Sequence, residues 1–163
     1  MPKEYVDAES VQTMAQQILP TFHAELAEAD IRYYFVTEHS MKNGRPLYGK
    51  ARKMSGSLHF LTGHDFVIEV AMDLWNEMPD AQRRAVIDHL LEYCTGEEDE
   101  DSGEMRYTMR EPDVKEFATI LRRHGAWNND LVGLVQLARS LNIDEQVQQI
   151  VDENQPENVV QTH

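Results

Sequence analysis

Near the start of the chain, Val11, Met14, Ile18, Leu19, Phe22 and Leu26 recur at helical spacing behind Ser10, a residue suited to capping, with Pro20 expected to kink or break the helix. The period then changes. "DIRYYFV" reads as a strand, whereas "EHSMKNGRPLYGKARKMSGS" has the turn chemistry of a long basic loop carrying at most one short strand. "SLHFLT" and "DFVIEVA" are strand candidates separated by Gly63 and His64, and "DLWNEMPDAQ" leads into a helix with Pro79 and Asp80 in its start positions. "TGEEDEDSGE" reads as a polar turn, after which Met105, Tyr107 and Met109 alternate with Arg106, Thr108 and Arg110 as in a strand. "EPDVKEFATILRRHG" opens at a proline and stops at a glycine, with Val114, Phe117, Ile120 and Leu121 as its apolar stripe. "NDLVGLVQLARSLN" and "IDEQVQQIVDE" add one or two helices. The order predicts an α+β fold in which a small antiparallel or mixed sheet packs against several helices and the C-terminal part is helical. Residues 1–153 are expected to form one domain and 154–163 a polar tail.

Composition narrows the class. With 163 residues, 41% of them hydrophobic, the chain can bury a real core. Cys94 is the single cysteine, so neither a disulfide framework nor a zinc knuckle is available and packing must hold the fold. The first residues, "MPKEYVDAESVQ", lack a basic start and an apolar core, and no apolar run approaches the roughly 18 residues of a membrane span. The expectation is a soluble cytoplasmic protein without membrane contact.

Charge is segregated. Lys and Arg number 15 against 29 Asp and Glu, a net of −14. Residues 91–120 hold ten acids and three bases, while residues 31–60 hold six bases (Arg32, Lys42, Arg45, Lys50, Arg52, Lys53) and one acid, Glu38. Such polarisation bears on partners and encounter more than on fold.

The candidate chemistry lies in "AVIDHLLEYC", residues 85–94. At about 100° per residue, Tyr93, Val86, Leu90, Cys94, Ile87 and Leu91 form one apolar arc, with His89 just outside it beside Tyr93. Leu90 points into the arc, where it can neither polarise water nor take a proton. His89 is therefore expected to be a partly buried, hydrogen-bonded structural residue. His89 and Glu92 also spell H-x-x-E, but Tyr93 stands where a second His would complete that motif, and Glu92 and Cys94 point to nearly opposite sides. His23, His39, His59, His64, His124 and His163 show no ligand spacing and read as scattered surface or half-buried imidazoles. Trp75 and Trp127 read as core.

From about residue 56 to 127, "DFVIEVAMDLWNEMPDAQRRAVIDHLLEYC" and "REPDVKEFATILRRHGAW" make the chain resemble the phage-encoded metallopeptidase domain family. In that family the helix carries D-H-E-L-x-H, and a later segment like G-H-D-V-E-E-F brings a further His. The resemblance implies a compact zincin-like scaffold and a setting in the cytoplasm of an infected bacterium. Position by position it retains His89, but Leu90 replaces the glutamate base, Tyr93 the second His and Pro112 the later His. A catalytic zinc needs three protein ligands and an open position. The resemblance thus implies a vestigial site at His89, Leu90, Tyr93 and Pro112, with no catalytic residue, metal or other cofactor.

The acidic turn starts like a calcium loop at Asp99 and Asp101, but Gly103 comes one residue early and no bidentate Glu follows at the required distance. Its carboxylates read either as a solvated hairpin or as an imitation of nucleic-acid phosphates. The basic stretch from Met41 to Met54 is a thin nucleic-acid footprint on so acidic a chain, so direct nucleic-acid binding is not expected. The leading functional reading is a non-catalytic phage protein. Glu97, Glu98, Asp99, Glu100, Asp101, Glu104, Glu111 and Asp113 would engage a host DNA-handling or anti-phage defence protein that has a basic or nucleic-acid-binding surface, and inhibit it by DNA mimicry. The alternatives are a metal-dependent peptidase with other ligands and a phage structural or assembly protein.

Overall fold

The computed structural model describes residues 2–141 and 143–154. It is an α+β protein whose principal sheet has four strands. These are β1 (Tyr5–Asp7), β2 (Ile31–Val36), β5 (Gly49–Lys53) and β6 (Phe66–Ala71), in the order β1-β2-β6-β5. β2 and β6 run parallel, with Ile31 opposite Phe66 and Val36 opposite Ala71, while β1 and β5 are antiparallel to their neighbours. The sheet is mixed. The apolar run of β6 suits a strand paired on both sides, and Phe66, Ile68 and Val70 are fully buried. Glu69 interrupts the run at 8% exposure, accepts a hydrogen bond from Tyr34 Oη at 3.0 Å and lies 3.6 Å from Lys50 Nζ.

Of the four helices in this part of the chain, the first and the last pack against each other and against the sheet. α1 (Glu9–Phe22) contributes Val11, Ala15 and Ile18 to the core. α2 (Ser57–Thr62) leaves Leu58, Phe60 and Leu61 exposed. α3 (Met72–Glu77) buries Trp75, and α4 (Asp80–Glu92) buries Ile87, Leu90 and Leu91. Pro79 is the N-cap of α4, as its fixed φ favours. The Arg83 guanidinium lies 5.0 Å from the centre of the Trp75 ring and its Nε donates to the Trp75 carbonyl, which fixes the α3–α4 corner.

Several segments differ from the sequence reading. "SLHFLT" is the helix α2, because β5 occupies the second edge of β6 and leaves this segment no ladder to join. Glycines of positive φ, Gly56 at 58° and Gly63 at 73°, bound it. The basic loop contains three strands: β3 (Ser40–Lys42) and β4 (Arg45–Leu47), joined through Asn43 and Gly44 as a hairpin, and then β5. Ala8, and not Ser10, is the N-cap of α1, which continues through Pro20 to Phe22. The polar turn begins as β7 (Cys94–Glu98), paired antiparallel with β8 (Met105–Met109).

The chain divides into two compact units, Met1–Glu111 and Pro112–His163. The second holds α5 (Ala118–His124), α6 (Asn129–Ser140) and α7 (Ile143–Asn154), with α6 and α7 packed together. α5 starts six residues after Pro112, so Val114 and Phe117 precede the helix they were expected to stripe. Trp127 is not core: it is 59% exposed and donates from Nε1 to Glu116 at 3.0 Å. Residues 155–163, most of the expected tail and with it His163, lie outside the described residues.

Candidate functional site

Helix α4 presents one face to the edge strand β5. Beside it, between α4 and the segment running from β4 into β5, lies a cleft of about 330 Å³, walled by Pro46, Leu47, Tyr48 and Gly49 on one side and by Gln82, Ala85, Val86, His89 and Leu90 on the other. Gly49 is required here. A Cβ at this position would come within 2.3 Å of the Glu69 carbonyl oxygen and 2.9 Å of Leu90 Cδ1, so only a glycine lets the strand lie this close to the helix. Leu90 is 3% exposed and packs in the core, as its place on the apolar arc requires.

His89 departs from expectation. Its side chain is exposed, and its ring meets that of half-buried Tyr93 edge-on, with centroids 5.3 Å apart and planes at 89°. No hydrogen bond holds the imidazole among the described residues, because the i,i+4 neighbour offers it an aromatic face. On this side of the helix the donor set is one imidazole and one phenol beside an isobutyl group. Pro112 is exposed and opens the second unit. Cys94, at the end of the same apolar arc, is 1% exposed, and burial pushes its thiol up to about 12.

The adjoining face of α4 is different. Asp88 and Glu92, one turn apart, face His23 at the C-cap of α1. His23 is 1% exposed, and its Nε2–H donates to Asp88 Oδ1 at 2.6 Å, a carboxylate oxygen being the acceptor. Glu92 Oε2 lies 3.0 Å from Arg110 Nη2. The imidazole, the Asp88 carboxylate and the Glu92 carboxylate each bring a ligand atom within 4.8 Å of the others, the only such group among the described residues. No local pattern in the sequence relates His23 to Asp88, since 65 residues separate them. The sole legible trace was the i,i+4 pair of acids. Three further histidines are paired with aspartates: His39 with Asp73 and His64 with Asp30, each at 2.7 Å, and His59 with Asp65 at 3.2 Å.

The acidic hairpin is the second candidate region. Asp99 folds it: its carboxylate accepts from the backbone N–H groups of Asp101 at 2.9 Å and Ser102 at 3.3 Å and from Arg106 at 3.1 Å, which together hold its pKa below the usual carboxylate range. Glu97, Glu98, Glu100, Asp101 and Glu104 are exposed around it. A groove of about 400 Å³ beside the hairpin is lined by Glu98, Gly103 and Met105 together with Glu25 of the 3-10 turn after α1 (Ala24–Leu26) and Glu28 just beyond it. Glu25 and Glu28 extend the acidic face beyond what sequence proximity showed. Glu111 is exposed at the end of the first unit, and Asp113 is exposed in the second.

The site thus consists of a mixed sheet whose antiparallel edge strand lies along a helix bearing Asp88 and His89, with a cleft beside them. The chain belongs to the family described as "putative phage metallopeptidase", whose model matches residues 3–154. No curated protein and no solved structure matches the chain. No helix of the described residues is long and apolar enough to cross a membrane.

The family's name implies a metal. The side chains of α4 that line the cleft do not fit one: His89 is the single strong ligand there, since Leu90 has no donor atom and Tyr93 places its ring against the imidazole.

Proposed function

We propose that this chain is a non-catalytic member of its family, an acidic phage protein that binds a host DNA-handling or anti-phage defence protein and inhibits it by occupying a basic, nucleic-acid-binding surface. The observation that carries this reading is the convergence of exposed carboxylates from two segments on one groove, Glu98 from the hairpin with Glu25 and Glu28 from the segment after α1, while Glu97, Glu100, Asp101 and Glu104 are exposed elsewhere on the same hairpin. On a chain of net charge −14, such a face steers encounter with a positive cleft. The buried Leu90 supports the non-catalytic half of the reading, since neither water activation nor proton transfer can be drawn from that position.

The test is capture from a host lysate, followed by measurement of the identified complex. Binding is expected to weaken steeply as salt rises from about 50 to about 500 mM, where screening shortens from over 10 Å to a few ångströms. DNA should compete, and replacing Glu97 through Asp101 by Gln and Asn should slow association while the fold persists. A complex indifferent to salt, to DNA and to those substitutions would overturn the reading, as would zinc-dependent peptide cleavage abolished by His89→Ala.

A further inference from the structure

We infer that His23, Asp88 and Glu92 form a divalent-cation site of the zinc class, separate from the cleft at His89. Three features of the geometry point to it. The carboxylates are four residues apart on α4 and so project from one face of the helix. The imidazole reaching them is fully buried, and its Nε2 is already directed at Asp88. The three ligand atoms lie within 4.8 Å of one another, a spread that modest side-chain rotation closes to the separations zinc imposes at bond lengths of about 2.0–2.2 Å.

The donor set selects the ion. One imidazole nitrogen and two carboxylate oxygens bring two negative charges to a dication. The nitrogen favours zinc over calcium or magnesium, whose sites are built from oxygen. In the metal-free arrangement the imidazole proton on Nε2 serves the Asp88 carboxylate. Metal binding takes the Nε2 lone pair, and the proton moves to Nδ1 as the ring changes tautomer. Arg110 Nη2 lies 3.0 Å from Glu92 Oε2 and would act as an outer-shell group that orients the ligand. The side chains of Asp88 and Glu92 are 39% and 51% exposed, so the ion enters from solvent and water completes the coordination. The ligating pair sits one residue before His89 and Tyr93, which turns it about 100° around the helix and away from the cleft. Set apart from the cleft, the ion would staple the end of α1 to the end of α4; since three protein ligands and a water also meet what a catalytic zinc needs, this inference neither rests on the non-catalytic reading nor supports it.

The experiment uses the full chain after chelation, titrated with Zn2+ alone and followed by calorimetry and thermal melting, with the Co2+ absorption spectrum as a second readout. Wild type and His89→Ala are expected to bind about one equivalent and to melt higher with metal, as binding to the folded state requires. Glu92→Gln and Asp88→Asn should bind at least about tenfold more weakly, while circular dichroism shows both folded. Wild type that takes up no zinc, or variants that bind as tightly as wild type, would overturn the site. Zinc lost with His89→Ala but kept by Glu92→Gln would overturn both this site and the non-catalytic reading. Salt-insensitive partner binding would overturn the proposed function alone.

Discussion

Two faces of one helix differ in what they could do and in how they are held. On the cleft side of α4, His89 is exposed against Tyr93 and Leu90 is sunk beside Gly49. On the adjoining side, Asp88 and Glu92 meet an imidazole that solvent does not reach. A polar side chain at the first face is cheap to change because water already solvates it. At the second, burial makes each hydrogen bond count, since a partner removed leaves a desolvated group behind. The difference shows that His89, the position the resemblance aligns with a first ligand, is not where this chain brings an imidazole and carboxylates together.

The comparison breaks most readily at Leu90. Replacing it by Glu, the residue that the family resemblance places there, is expected to destabilise the protein by about 2 kcal/mol or more, because the carboxylate would be buried beside the backbone of β5 without a partner. Urea unfolding checks this, and an unchanged midpoint would show that the side chain has an escape to the cleft.

The next largest effect sharpens the contrast between the two histidines. His23→Ala should cost about 1–3 kcal/mol in metal-free protein, through the lost bond to Asp88 and the emptied space. His89→Ala should stay within about 0.5 kcal/mol, as surface substitutions do. Equal costs in parallel denaturation curves would dissolve the distinction.

The smallest signal concerns Cys94, the thiol nearest the buried end of the helix. Burial raises its pKa to about 12, so at neutral pH it is protonated and enclosed. Native protein should leave an aromatic disulfide reagent essentially unreacted, and denatured protein should consume one equivalent. Rapid native reaction would mean that the arc opens on the cleft side and that a sulfur ligand is within reach there.

How far the sequence carried this reading depended on the range of the interactions involved. β2, β6, β8 and α4 were legible because their apolar periods are local, and the turn at Asp99 because it is satisfied by its own neighbours. The short pieces were not. "SLHFLT" satisfies strand and helix alike over six residues, and the choice fell to whether an edge of β6 was free. The same competition made β5 a strand within what composition reads as loop. In the candidate sites, the absence of a Glu at Leu90 and of a His at Tyr93 was plain from the letters, whereas the exposure of His89 followed from where the helix came to rest.

The amino-acid order by itself determined the α+β alternation, the apolar arc of α4, the lone thiol and the separation of acidic from basic segments, because each depends on residues within a turn or two, or on composition alone. Tertiary structure decided that Glu25 and Glu28 join the acidic hairpin at one groove and that His23 closes on Asp88 across 65 residues. Those meetings depend on how α1, the sheet and α4 pack, and packing brings together positions that no local period relates.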